Sequence, residues 1–372
     1  MKRLPLILGL IWLSGCASAP KTVAPPPPRL YAPGTVGPMI SGLMPEPFSD
    51  TRSVEVLYGT NRLPGADQGE CDDNAFGVNP TGKTAYGSCM INVPKRHRIG
   101  ELGLADNPRS DPHQYFRALN HTPMTPEALA AKLTQSKATD ALVFIHGFNV
   151  RFGEAVVRAA QIAYDLKFQG PVVIFTWPAG SNSTVDSTMI TRTYEANKAS
   201  ARVSVGQAAG FFKVLASVPG LRIHLMVHSM GHQVALPALA RAAPEIGRPF
   251  LGEVVLNAPD FPVKDLPAVI PPIRAAAQRI TVYCSFNDNA IAASEVWNKG
   301  RRLGACEQIP GADVINAGEI DVPPVGGLGH SYYAARAVLT DVFQLMLGLD
   351  AERRLFIRKS EPNSVENYYL RP

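Results

Sequence analysis

The stretch LMVHSMGHQVALPALARAA, Leu225 to Ala243, decides how the rest of the chain is interpreted. It predicts an apolar strand, then a tight turn, then a helix. Ser229 lies at the turn. The spacing is close to G-x-S-x-G, a motif that exposes a serine on a sharp strand-to-helix turn. Gly231 supplies the second glycine of that motif, whereas Val227 stands where the first is usual.

Predicted strands and helices alternate on both sides of this stretch. The apolar runs ALVFIHGF and PVVIFTW precede it, GEVVLNAPD and RITVYCS follow it, and helical segments separate them. Apolar runs of this length are typical of parallel strands that are buried on both faces. We therefore predict an α/β fold, with a doubly wound, mostly parallel sheet and helices on both faces. Ligands of such sheets bind beyond the carboxyl ends of the strands.

Chemically versatile residues follow several of these strands. Ser229 follows one strand, Asp288 lies in the loop after RITVYC, and His330 lies in the last strand-to-helix connection. Serine, acid and histidine in this chain order are typical of the α/β-hydrolase fold. We interpret Ser229 as a nucleophile, His330 as its base and Asp288 as the acid that orients the base. Asp260, after GEVVLNAP, is the alternative acid, and a helix N-cap is the alternative role for Ser229.

From about residue 53 to 347 the chain resembles a bacterial family of α/β-hydrolases, which are esterase- or lipase-like and have largely unassigned substrates. The matching segments are VFIHGFNVRFGEAVVRAAQ, VVIFTWPAGS, HLMVHSMG, VVLNAPD, CSFNDNAIAASEVWNKGRRLG and GHSYY. The resemblance implies the α/β-hydrolase fold and an oxyanion hole built from the backbone N–H groups of Phe148 and Met230. Val227 and His232 depart from the family pattern and bear on the shape of the turn.

The first 20 residues, MKRLPLILGLIWLSGCASAP, combine a basic start, a short apolar run and small residues, as a secretory signal does. LSGC resembles the lipobox of bacterial lipoproteins, which implies cleavage before Cys16 and diacylation of its thiol. Ala17 in the next position favours sorting to the outer membrane. A plain signal peptide or a short anchor helix is the alternative.

The expected organisation of the chain follows from this leader. Residues 1–15 are a signal peptide, and residues 16–48 are a Pro-rich, extended tether that carries the lipid. Residues 49–350 form the hydrolase domain, and residues 351–372 are a C-terminal tail.

Four further cysteines, Cys71, Cys89, Cys284 and Cys306, suggest disulfides outside the cytoplasm. Proximity in sequence favours the pairs Cys71–Cys89 and Cys284–Cys306, and free buried thiols are the alternative. No two cysteines have C-x-x-C spacing, which disfavours zinc. P-loop, dinucleotide-binding and H-E-x-x-H motifs are absent from the sequence, so we expect no cofactor and no metal.

These features predict a lipid-anchored serine hydrolase of the bacterial cell envelope, on the outer membrane and facing the periplasm. Its partners are a small-molecule or lipid ester and, through the anchor, the membrane. The net charge of +5 is mild, and no basic run is interleaved with aromatics, so nucleic acid is not expected as a partner. The alternatives are a catalytically silent hydrolase fold that acts as a scaffold, and an envelope acyltransferase that uses the same triad. The pattern specifies no oligomeric state.

Overall fold

The computed structural model of the chain describes residues 53–67, 69–104, 114–181, 190–320 and 329–372. These residues contain an 11-stranded sheet and seven α-helices. The strands are β1 (Ser53–Pro64), β2 (Phe76–Asn92), β3 (Arg117–Met124), β4 (Asp140–Ile145), β5 (Val172–Thr176), β6 (Arg222–His228), β7 (Leu251–Asn257), β8 (Ala277–Cys284), β9 (Asp313–Asn316), β10 (Ile357–Lys359) and β11 (Tyr368–Leu370). The helices are α1 (Pro126–Gln135), α2 (Phe152–Asp165), α3 (Ile190–Ala216), α4 (His232–Ile246), α5 (Leu266–Ala276), α6 (Asn289–Asn298) and α7 (Arg336–Met346).

The strand order is β10-β11-β9-β8-β7-β6-β4-β5-β1-β2-β3. All neighbours from β11 to β1 are parallel, whereas β2, β3 and β10 add antiparallel pairings at the two edges. The predicted mostly parallel, doubly wound sheet is thereby confirmed. Because the central strands are parallel, the loops that follow them meet at one edge of the sheet.

Two apolar layers cover the two faces of the sheet, and β4 shows how the sequence builds both. Val143 and Ile145 of β4 pack in the layer that contains α3, α4 and α5. Leu142 and Phe144 pack in the opposite layer, with α2 and α7. Successive side chains of a strand point to opposite faces, so a continuous apolar run is what a strand covered on both sides requires.

Residues 351–372 differ from the tail that the sequence predicts, because β10 and β11 extend the sheet beyond β9. The side chains of Ile357 and Leu370 are buried in this extension. Arg354 is buried as well, and its Nη1 donates to Asp341 of α7 at 2.9 Å. A buried guanidinium needs a carboxylate partner, and this pair fixes the segment to the domain.

Two disulfides join Cys71 to Cys89 and Cys284 to Cys306, as the sequence proximity of each pair predicts. Cys284 ends β8, so the second disulfide closes the segment that carries Asp288 and α6. The signal peptide, Cys16 and the tether lie outside the described residues. In the described part of the chain, no helix combines the length and the apolar character that crossing a bilayer requires.

Candidate active site

Ser229 lies directly after β6, on a tight turn that the backbone of the loop after β4 approaches closely. Its φ is +52°, a left-handed conformation that non-glycine residues rarely adopt. A Cβ added to Gly231 would lie 2.4 Å from the carbonyl oxygen of His146. A Cβ added to Gly147 would lie 2.8 Å from Cβ of Ser229. Glycine at these two positions therefore lets the loop after β4 approach the serine turn.

The two departures from the family pattern do not prevent this turn. Val227 is wholly buried inside the sheet, where it pairs with Ile145 of β4 and Leu256 of β7, so its side chain belongs to the core. His232 is also buried, and its Nδ1 donates to the carbonyl of Ser229 at 2.7 Å. Burial lowers the pKa of His232 to about 3, so the ring is neutral and supports the turn as a hydrogen-bond donor.

The structure brings Ser229, His330 and Asp288 into one hydrogen-bonded chain. Nε2 of His330 lies 2.7 Å from Oγ of Ser229, and Nδ1 lies 2.7 Å from Oδ2 of Asp288. An ionised carboxylate only accepts hydrogen bonds, so Nδ1 carries the proton and Nε2 is left as the acceptor for the serine hydroxyl. Glycine-rich residues that precede His330 in the sequence, 321–328, lie outside the described part of the chain.

Asp288 is oriented by the helix that it caps. Its Oδ1 accepts hydrogen bonds from the backbone N–H groups of Ala290 and Ile291, both at 3.0 Å, at the start of α6. These donors occupy one carboxylate oxygen and turn the other toward His330. An aspartate N-cap thus doubles as the partner of the histidine.

His228 contacts both His330 and Tyr333 and so helps to position the segment that carries His330. Its Nε2 donates to the backbone carbonyl of His330 at 3.4 Å, and its ring stacks on Tyr333 with centroids 3.8 Å apart. The pKa of His228 is lowered well below its usual value, mainly by burial and in second place by the nearby His330. A neutral His228 adds no positive charge that would oppose protonation of His330.

The loop after β4 carries the predicted oxyanion residue Phe148 to the serine turn, which carries Met230. The Phe148 ring packs against Tyr194 of α3, with centroids 5.9 Å apart. Just before it, the ring of His146 stacks on Trp177, and Trp177 Nε1 donates to the carbonyl of His146 at 2.9 Å. The loop is therefore fixed on both sides of Gly147, as preorganised N–H donors require.

Arg62 is a site residue that the sequence analysis missed. It lies near the end of β1, wholly buried, and forms no ion pair with any described residue. Its donors instead reach Thr176 Oγ1 at 2.9 Å and the carbonyls of Ala179 and Val150, both at 2.8 Å. Burial lowers the pKa of Arg62 to about 9. The guanidinium therefore ties the loops after β4 and β5 together beneath the site.

Asp260, the alternative acid, lies in a separate polar cluster. Its Oδ2 accepts from Tyr194 at 2.8 Å, its Oδ1 accepts from Ser294 at 2.6 Å, and Nε of Arg302 lies 3.4 Å from Oδ1. Burial and the neighbouring Asp260 raise the pKa of Tyr194 to about 12. The structure thus brings Asp288, and not Asp260, to His330.

Together these residues can activate a hydroxyl for attack on a carbonyl carbon in a site that is largely shielded from water. Ser229 is only 6% exposed. No group of three or more His, Cys, Asp or Glu side chains in the described residues is arranged to hold a metal ion.

Comparison with known proteins agrees with this fold. Residues 123–348, more than half of the chain, match the family described as alpha/beta hydrolase of unknown function (DUF900). The match covers α1 to α7 and so includes β4, the serine turn and the loops that carry Asp288 and His330. Among curated proteins, no significant match is found.

Proposed function

Because the chain belongs to this family of alpha/beta hydrolases, we propose that it is a serine hydrolase that cleaves carboxylic esters through an acyl-enzyme on Ser229. The observation that carries the proposal is the continuous hydrogen-bonded chain from Ser229 Oγ through His330 to Asp288, with both distances 2.7 Å. Three side chains from separate loops meet with the spacing that general-base activation of a serine requires.

The reaction begins with attack of Ser229 Oγ on the ester carbonyl carbon. His330 Nε2 takes the hydroxyl proton as the C–O bond forms, and Asp288 stabilises the resulting imidazolium. The tetrahedral intermediate then collapses, and His330 returns the proton to the departing alcohol. Water then attacks the acyl-enzyme as His330 Nε2 takes its proton. The bond between the acyl carbon and Ser229 Oγ breaks, His330 returns the proton to Oγ, and the carboxylic acid leaves.

Negative charge develops on the carbonyl oxygen during both attacks. The backbone N–H groups of Phe148 and Met230 are the donors proposed to stabilise it, since one follows Gly147 and the other follows the nucleophile. Each such donor is worth about 10²–10³ in rate. The positive φ of Ser229 and the close approach of Gly147 support this assignment.

We propose that this activity is located in the bacterial cell envelope. A lipid on Cys16 would anchor the protein to the outer membrane. The lipobox-like LSGC and the Pro-rich residues that follow support this proposal. Intact-mass spectrometry of the mature protein tests it. We expect a diacylglyceryl modification on Cys16, and a mature chain without it would contradict the anchoring.

A fluorophosphonate probe tests the catalytic proposal directly. We expect labelling of the wild-type protein at Ser229, found by peptide mass spectrometry, and none of a folded Ser229→Ala variant. Ester hydrolysis should fall on the order of 10⁶-fold in that variant. Folded wild-type protein that neither reacts with the probe nor hydrolyses any of a series of acyl esters would instead indicate a silent scaffold. Product analysis with an added acceptor alcohol distinguishes hydrolysis from acyl transfer.

A further inference from the structure

A groove with a volume of about 830 Å³ lies beside the Asp260 cluster, outside the proposed catalytic residues. It is bordered by α3, the start of α4, the loop between β7 and α5, and the residues that follow α6. Six cationic side chains line it: Lys198, Arg202, Lys264, Lys299, Arg301 and Arg302. Among the lining residues that the structure describes, Asp265 is the one carboxylate. The groove therefore presents excess positive charge to a ligand.

Three of these cations have carboxylate partners outside the groove lining. Arg302 pairs with Asp260 at 3.4 Å, Lys198 pairs with Glu195 at 3.6 Å, and Arg301 pairs with Glu307. These three cations are therefore already paired within the protein.

The other three cations, Arg202, Lys264 and Lys299, are exposed. None of them forms an ion pair with any residue in the described part of the chain. They come from α3, the loop before α5 and the end of α6, so they approach the groove from three sides. This arrangement is suited to an anion that enters from solvent.

Apolar side chains accompany the charge. Phe261, Val263 and Val269 line the groove, and two large apolar residues near the end of α6 are exposed to solvent. Val296 is 81% exposed and Trp297 is 48% exposed. Trp297 is tied to the groove wall, because its Nε1 donates to Glu195, the partner of Lys198, at 2.6 Å. Exposed apolar groups beside a basic groove would gain nothing from a small soluble anion, whereas they would be buried in the interface of a bilayer.

We propose that this groove binds the phosphate headgroups of anionic lipids and docks the domain on a negatively charged bilayer. The lysines and arginines would contact headgroup phosphates, and Trp297 would lie at the level of the headgroups, where tryptophan is enriched in membrane proteins. The loop after β7 contributes to the groove, and this loop follows the same sheet edge as Ser229. The proposal does not depend on the catalytic activity of Ser229.

Vesicle binding by the chain without residues 1–15, the predicted signal peptide, tests this proposal, and Cys16→Ser is included so that neither the apolar leader nor a lipid anchor contributes. We expect sedimentation with phosphatidylcholine vesicles that contain phosphatidylglycerol, little with phosphatidylcholine alone, and loss of binding at high salt. Brominated lipid should quench the fluorescence of Trp297. That quenching should be absent from the Trp297→Phe variant. Each basic residue near an anionic surface contributes about fivefold in affinity, so the triple change Arg202→Gln, Lys264→Gln and Lys299→Gln should weaken binding by about 100-fold.

A matched triple variant on the opposite face of the sheet controls for net charge. Lys95 and Arg96, which follow β2, and Lys167, which follows α2, are exposed, and their change to glutamine removes the same number of charges. We expect this variant to bind within about threefold of the parent. Equal losses for the two triples would overturn the proposal, because binding would then follow net charge alone. Calorimetry with inorganic phosphate tests the remaining alternative. If the triple change in the groove abolished phosphate binding but left vesicle binding unchanged, the groove would bind a soluble anion and the proposal would be overturned.

Discussion

Asp288→Asn isolates the role of one hydrogen bond at the proposed catalytic centre, because the structure dictates how the new amide must lie. In the wild type, Oδ1 of Asp288 accepts two backbone N–H groups at the start of α6 and Oδ2 faces His330. If the amide nitrogen faced those two N–H groups, both would lose their acceptor, at a cost of about 1–3 kcal/mol each. The amide oxygen therefore keeps the capping position and the amide NH₂ turns to His330.

This orientation reverses the tautomer of His330. Its Nδ1 must then accept a hydrogen bond from the amide, so the ring proton moves to Nε2, which faces Ser229 Oγ at 2.7 Å. A protonated Nε2 cannot take the serine proton. Loss of the correct tautomer lowers kcat about 10⁴-fold in triads of this kind, which corresponds to about 5 kcal/mol in the activation barrier. Stability should change little, because asparagine is as good an N-cap as aspartate.

The assay is steady-state hydrolysis of a chromogenic acyl ester, with thermal unfolding measured on the same samples. Asp260→Asn is the matched control, since it makes the same change in a buried carboxylate that does not contact His330. It removes the charge that Arg302 pairs with, so we expect it to lower the free energy of unfolding by about 3–5 kcal/mol and to leave kcat of the folded protein within about tenfold. A larger loss of kcat for Asp260→Asn than for Asp288→Asn would refute the assignment of the acid.

The structure also predicts the effects of five other substitutions, four of them at residues that pack around the site. Arg62→Lys should lower kcat by up to about 100-fold with little change in KM, because one ammonium group cannot hold both loops that carry or brace the oxyanion donors; an unchanged kcat in folded protein would remove Arg62 from the site. Gly231→Ala should sharply lower the melting temperature, since its Cβ would lie 2.4 Å from a backbone oxygen, whereas Gly210→Ala, in open space on α3, should raise the free energy of unfolding by about 0.5–1 kcal/mol. Val227→Gly should keep kcat but cost about 2–4 kcal/mol of stability, because it removes a wholly buried side chain; strong inactivation of the folded variant would contradict this. The pKa of His232 is about 3 in the folded chain and ordinary in the unfolded chain, so the unfolded state binds an extra proton and stability falls as pH falls from about 6.5 toward 3. His232→Asn should flatten that dependence, in urea titrations, by up to about 1.4 kcal/mol per pH unit, and an identical slope would show that His232 is not responsible.

The sheet and the meeting of Ser229, Asp288 and His330 were accessible from the sequence for one physical reason. Strands buried on both faces produce continuous apolar runs, so the central strands can be recognised without tertiary information. Once those strands are taken as parallel, the residues that follow them must gather at one edge. Local patterns therefore predict a long-range juxtaposition across 101 residues, from Ser229 to His330.

Arg62 and the C-terminal strands show where this reasoning stops. Arg62 lies 84 residues before His146, and nothing in SVEVLYGTNR distinguishes an arginine that will be buried from one at an exposed strand end. Its role depends on carbonyls from loops that only the folded chain brings to it. Strands β10 and β11 have three residues each, too few for a periodicity of two to be recognised.

The sequence pattern could not decide between Asp260 and Asp288 as the acid, because both follow a strand and both are buried. What separates them is how many donors already occupy each carboxylate. Asp260 accepts from Ser294 on Oδ1, which also forms the ion pair with Arg302, and accepts from Tyr194 and Gln233 on Oδ2, so both oxygens are engaged. Asp288 has its backbone donors on Oδ1 alone, which leaves Oδ2 for a histidine. At Asp288 the start of α6 and His330 use different oxygens, and that arrangement is visible in the hydrogen bonds of the folded chain rather than in the order of its residues.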